Sequence, residues 1–172
     1  AIDYDNNLWV YRELYTQKIT ADIFARKVLD LESGEYIRYG VLDASTWARR
    51  GDIGPSIAET MIQAGCRWRP SDRTGRSRIS GKLEIHKRLK VEDKEPGIRI
   101  FSNCRNLLRT FPTLPLDDSN PEDINTHVED HAYDALRYGC MSRPMHTSYA
   151  NKAFGNSNRT ANFVPSDKIF GY

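Results

Sequence analysis

Between residues 8 and 64 the apolar pattern changes period three times, and each change is bracketed by turn formers. The stretch LWVYRELY (8–15) alternates large apolar with polar side chains, the period-2 signature of a strand. The preceding DYDNN reads as a turn, which makes Ala1 and Ile2 the stub of an earlier hairpin strand. Over 20–31 the apolar residues Ile23, Phe24, Val28 and Leu31 fall at helical spacing, and Ser33 and Gly34 end the run. RYGVLD (38–43) predicts a short strand, and 55–64 a helix with Pro55 at its start and Gly65 as its stop. Strand, helix, strand, helix is the order of an α/β fold with a mixed or parallel sheet.

The remainder continues the alternation. A basic helix is predicted from near Ser80 to about Lys90, a strand over 98–101, and a short helix over 103–109 that FPTLP ends. Residues 117–123 form an acidic loop. Thr126 and Glu129 have the spacing of a capping box, predicting a last helix from there to about Arg143, before Pro144. With 172 residues, 39% of them hydrophobic, the chain can bury one core. We expect one domain over 1–142 and a tail over 143–172, rich in Asn, Ser and Gly, that is ordered only where it docks.

No apolar run approaches the roughly 18 residues that span a bilayer, and Ala1 to Asn7 hold no basic n-region, so neither a membrane span nor a secretory signal is expected. Cys66, Cys104 and Cys140 are an odd number without CxxC spacing, which fits a reducing compartment and neither a disulfide framework nor a cysteine-rich zinc site.

The formal net charge of +2 hides a segregation. Residues 67–90 (RWRPSDRTGRSRISGKLEIHKRLK) hold nine lysines or arginines against two acids, Asp72 and Glu84, leaving 16 basic and 21 acidic side chains elsewhere. A cationic block on an acidic chain points to a polyanionic partner. Arg67, Arg69, Arg73, Arg76, Arg78 and Lys82 are the candidate phosphate contacts, and Trp68 a candidate for stacking on a base or sugar. A solvated helix face and loop would carry the same composition.

Asp43 ends an apolar strand and enters a loop, the usual place for ligand-binding groups in open α/β sheets, although a turn or cap residue would sit there too. In EDHAYDALRYG, Asp130 and Asp134 are four residues apart, about 40° apart on one helix face. Like charges at that spacing destabilise a helix, and a divalent cation such as Mg²⁺ or Mn²⁺ would compensate them. Alternatively, the helix dipole accounts for Asp130 and pairing with Arg137 for Asp134. His131, about 60° from Asp134, is placed to orient a water or contact a phosphate.

Other motifs fail on spacing. HVEDH matches neither zinc-protease pattern because its glutamate is misplaced. GRSRISGK has five residues between its glycines instead of four, and Leu83 follows where Ser or Thr must hold Mg²⁺, so it is not a Walker A loop. RRGDIGPS lacks GxGxxG spacing, and no GxSxG occurs.

Three stretches, LWVYRELY, YGVLDAST and above all EDHAYDALRYG, together resemble the C-terminal nuclease domain of the large terminase subunit of tailed bacteriophages, from about Leu8 to Arg143. The resemblance implies an RNase H-like fold, a mixed central sheet flanked by helices, and a two-metal nuclease that cuts double-stranded concatemeric viral DNA during genome packaging. It implies catalytic roles for Asp43, Asp134, Asp130 and His131, with Asp43, Asp134 and Asp130 holding two Mg²⁺ or Mn²⁺ ions. The implied partners are the terminase ATPase domain, the small terminase subunit and the portal protein, in the host cell cytoplasm. The family's first catalytic Asp lies on a strand upstream of the hairpin; Asp3 and Asp5 fall in the turn and do not match it, so an incomplete metal site is expected. The competing expectations are a non-catalytic DNA-binding or docking module of a packaging motor, and a resolvase-type nuclease on the same fold.

Overall fold

The computed structural model describes residues 1–49, 51, 54–91 and 95–144. In chain order these form β1 (Leu8–Val10), α1 (Ala21–Glu32), β2 (Gly40–Leu42), α2 (Ile57–Gln63), β3 (Trp68–Pro70), α3 (Ser77–Leu89), β4 (Ile98–Ile100), α4 (Arg105–Thr110) and α5 (His131–Ser142), with single 3₁₀ turns at Ala44–Trp47 and Phe111–Thr113. The α/β class is therefore observed. The strands make two separate parallel ladders, β1 with β4 and β2 with β3, where one mixed sheet was expected. An antiparallel bridge between Ile2 and Leu8 confirms the hairpin stub.

The strands are shorter than the sequence pattern because pairing partners run out. The ladder to β4 stops at Val10, and residues 11–15 make no backbone–backbone hydrogen bond among the described residues. These residues serve as anchors instead. Glu13 accepts from the backbone amides of Asn106 and Leu107 and so caps α4. Beside this segment lies a cavity of about 690 Å³, bounded by Trp9, Tyr15, Phe24, Leu107 and Leu136.

The helix ends also differ in informative ways. α2 starts after Ser56, which exchanges both capping-box bonds with Glu59. α5 begins at His131, because Glu129 is taken by Arg109 at 2.6 Å and by the Tyr15 hydroxyl at 2.7 Å and is unavailable to cap. The tail beyond Pro144 lies outside the described residues.

Two apolar clusters carry the packing. One joins Leu8, Ile98, Ile85, Leu107 and the α5 residues Tyr133, Leu136 and Cys140; the other joins Ala25, Met61 and Cys66, with Leu42 and Trp68 against them. α5 is the shared wall, packing on α3, α4 and β2. Its buried residues Tyr133, Leu136, Arg137 and Cys140 follow the i, i+3, i+4, i+7 stripe of a core-facing helix. The next stripe, with Asp134 and Tyr138, is turned toward the end of β2. Arg88, fully buried on α3, ties the parts together by donating to the carbonyls of Asn6, Gly97 and Arg143 and to Glu84.

Candidate active site

Asp43 immediately follows β2 and begins the 3₁₀ turn. Its Oδ1 accepts from the Ser45 amide at 2.6 Å, the capping role an aspartate takes at a strand end. Its Oδ2 accepts the Tyr138 hydroxyl at 2.5 Å, a bond across 95 residues of sequence. Burial pushes the Asp43 pKa up, but the bonds from Ser45 and Tyr138 outweigh it and hold the carboxyl below its ordinary value. Tyr138 moves the other way: burial, then its bond to Asp43, raises the phenol.

Asp134 reaches the same hydroxyl from α5. Its Oδ2 is 3.5 Å from the Tyr138 oxygen, and its Oδ1 accepts from the Arg137 guanidinium at 2.9 and 3.0 Å. Distances of 2.5 and 3.5 Å to one shared oxygen put the two Oδ2 atoms no more than 6.0 Å apart. Two of the three acids singled out in the sequence are therefore brought to one hydroxyl. Each also has an ordinary structural partner, Ser45 for Asp43 and Arg137 for Asp134.

Asp130 and His131 stand differently. Asp130 is buried and caps nothing; burial, then the charge of Asp134, raises its pKa, so its ionised form is disfavoured. His131 is exposed, 3.7 Å from Asp130, and makes no hydrogen bond or ion pair with Asp43 or Asp134. It lines the cavity beside β1 instead.

The basic residues divide into committed and open ones. Arg78 donates to Asp123 at 2.8 Å and lies 3.9 Å from Asp134, so it is a counter-ion inside the acidic group and not a free phosphate contact. Lys82 donates to the Pro121 carbonyl. Arg67 and Arg69 lie over the rings of Tyr36 and Tyr39 at 5.7 and 4.2 Å. Arg73 and Arg76 are exposed and make no ion pair among the described residues. Trp68 is half-buried: its ring packs where a Cβ on Gly40 would stand, 2.0 Å from Cζ3, and lies against the second core cluster.

The open arginines emerge beside the acids. β2 and β3 run parallel, Leu42 opposite Pro70, so Asp43 and the turn carrying Arg73 and Arg76 leave the same end of the ladder. The Ser71 amide donates to the Leu42 carbonyl at 2.8 Å, and the Ser71 hydroxyl accepts from the Ala44 amide at 3.0 Å, stitching the two exits together. Carboxyl ends of parallel strands are where α/β folds place their ligands.

The donor chemistry suits a hard cation, since Mg²⁺ and Mn²⁺ take oxygen ligands and Mg²⁺ is commonly held by one or two carboxylates plus water and phosphate oxygens. Asp43 and Asp134 match that pattern. A third acid does not join them: among the described residues, no group of three or more His, Cys, Asp or Glu side chains is gathered to hold a metal ion.

No family model, curated protein or solved structure matches the chain.

Tyr138, Asp123 and the counter-ion role of Arg78 emerge only in the folded chain. Tyr138 was legible in principle, lying four residues after Asp134 and so on the same helix face. Asp123 was not, because only the folded acidic loop brings it to Arg78.

Proposed function

We propose that the chain is a metal-dependent endonuclease of double-stranded DNA with an RNase H-like architecture, the nuclease domain of a tailed-bacteriophage terminase large subunit. In that setting it cuts concatemeric viral DNA in the host cell cytoplasm, alongside the terminase ATPase domain, the small subunit and the portal. The observation that carries the reading is the convergence of Asp43 and Asp134 on the Tyr138 hydroxyl, next to an exposed arginine turn. The family resemblance of EDHAYDALRYG supports the assignment to phage packaging.

Asp43 and Asp134 would hold a Mg²⁺ or Mn²⁺ ion, which supplies an activated water and offsets charge on the phosphodiester when bound. Ser45 and Arg137 fix one oxygen of each acid, so neither carboxylate is free to spin. Arg73 and Arg76 would grip backbone phosphates, with Arg67 and Arg69 offering the edges of guanidinium groups already stacked on tyrosines. Such contacts set position along the duplex and carry no sequence information.

A second reading has its own support. Asp43 and Asp134 each have a structural partner and no third acid is gathered with them among the described residues, which is what a non-catalytic DNA-binding or docking module would show. Nicking of supercoiled plasmid across a Mn²⁺ titration separates the two. The nuclease reading expects cleavage by the natural chain and none by Asp43→Asn or Asp134→Asn, with retention of DNA in gel shifts by all three. DNA retention by all three with neither cleavage nor Mn²⁺ binding supports the binding module instead. Equal cutting of linear duplex and four-way junctions disfavours a resolvase.

A further inference from the structure

Resting on the nuclease reading, we propose that Tyr138 is the positioning residue of the site: its hydroxyl aims the Asp43 carboxylate at Asp134 and sets the spacing at which both can share one divalent cation.

Three observations carry this. The hydroxyl has a single proton, and at 2.5 Å it is given to Asp43 Oδ2, leaving the Asp134 contact at 3.5 Å as the longer one. The Ser45 amide holds the opposite oxygen of Asp43 at 2.6 Å, so the plane of the carboxylate is pinned at both ends. The phenol is itself fixed, since the Arg137 guanidinium lies 4.5 Å over its ring while also gripping Asp134. Among the described residues, Tyr138–Asp43 is the one side-chain-to-side-chain hydrogen bond between the β2 exit and α5.

Each carboxylate oxygen has more than one lone-pair site, so Asp43 can accept from Tyr138 and bind a cation together. Groups that orient a metal ligand through hydrogen bonds change metal affinity by about 10- to 100-fold when removed. A strut that served folding alone would change stability and leave affinity unaltered.

The test is Mn²⁺ binding to the full chain without DNA, followed by the loss of the free-ion electron paramagnetic resonance signal. Tyr39→Phe is the control, because Tyr39, the residue before β2, also reaches the end of α5, through the Ser142 carbonyl, and makes no hydrogen bond to either acid. The expected result is natural affinity in Tyr39→Phe and affinity weaker by about 10- to 100-fold in Tyr138→Phe. Unchanged or tighter binding in a folded Tyr138→Phe overturns the positioning role and leaves the nuclease reading standing. Absence of Mn²⁺ binding in the natural chain overturns both. Should Tyr138→Phe fail to fold, tyrosine labelled with ¹³C at Cζ decides: Mg²⁺ must shift one resonance, the one that Asp43→Asn also displaces. A Mg²⁺ titration that moves no such resonance rejects the proposal.

Discussion

The Cβ that Gly81 lacks would stand 2.4 Å from Cγ of Arg137 and 2.8 Å from its Cδ. α3 thus approaches α5 closely enough for the Arg137 side chain to lie over a bare stretch of backbone and reach Asp134 from beneath. Glycine in mid-helix costs up to about 1 kcal/mol against alanine, so its presence here is explained by this contact. Gly81→Ala should destabilise the fold by about 1–3 kcal/mol despite its better helix propensity, the range expected for overpacking. Urea denaturation measures it. A variant as stable as the natural chain would mean that Arg137 has room to move aside.

Asp130 should be a stability liability. Its raised pKa means that the folded state holds the proton more tightly than the unfolded chain does, so the ionised form at neutral pH opposes folding. The favourable contribution of a protonated Asp130 is present below its ordinary value of 3.8 and is lost as pH rises through the folded value. Asp130→Asn should therefore be more stable than the natural chain at pH 7, with the gap closing as pH falls through that region. Thermal melts at several pH values check this; a destabilised variant at pH 7 would contradict it.

Legibility in the sequence followed how local each feature is. The place of Asp43 was readable because RYGVLD is a short apolar run with a breaker-rich loop behind it. The shared helix face expected for Asp130 and Asp134 was not met, because the helix starts at His131 and leaves Asp130 at its cap position. β3 was hidden, since WRP shows no alternation and is a strand only because β2 pairs with it. The start of α5 was misplaced because Glu129 has partners in Arg109 and Tyr15, far away in sequence. Arg78 was read as a phosphate contact for the same reason: its commitment to Asp123 and Asp134 is tertiary.

That division among the arginines predicts a graded salt dependence. Arg73 and Arg76 are exposed and uncommitted, whereas Arg78 is held by Asp123. Arg73→Ala and Arg76→Ala should each lower the slope of log affinity for duplex DNA against log salt by about 0.9, the value for one phosphate contact. Arg78→Ala should leave the slope unchanged. Fluorescence anisotropy with a labelled duplex over a series of salt concentrations distinguishes them, and an equal drop for all three would contradict the assignment.

The most direct measurement is a crystal of the chain soaked in Mn²⁺, with anomalous scattering recorded for manganese. The account predicts a peak within coordination distance, about 2.2 Å, of a carboxylate oxygen of both Asp43 and Asp134. Manganese density bound elsewhere, with these two acids still joined only through the Tyr138 hydroxyl, would contradict it.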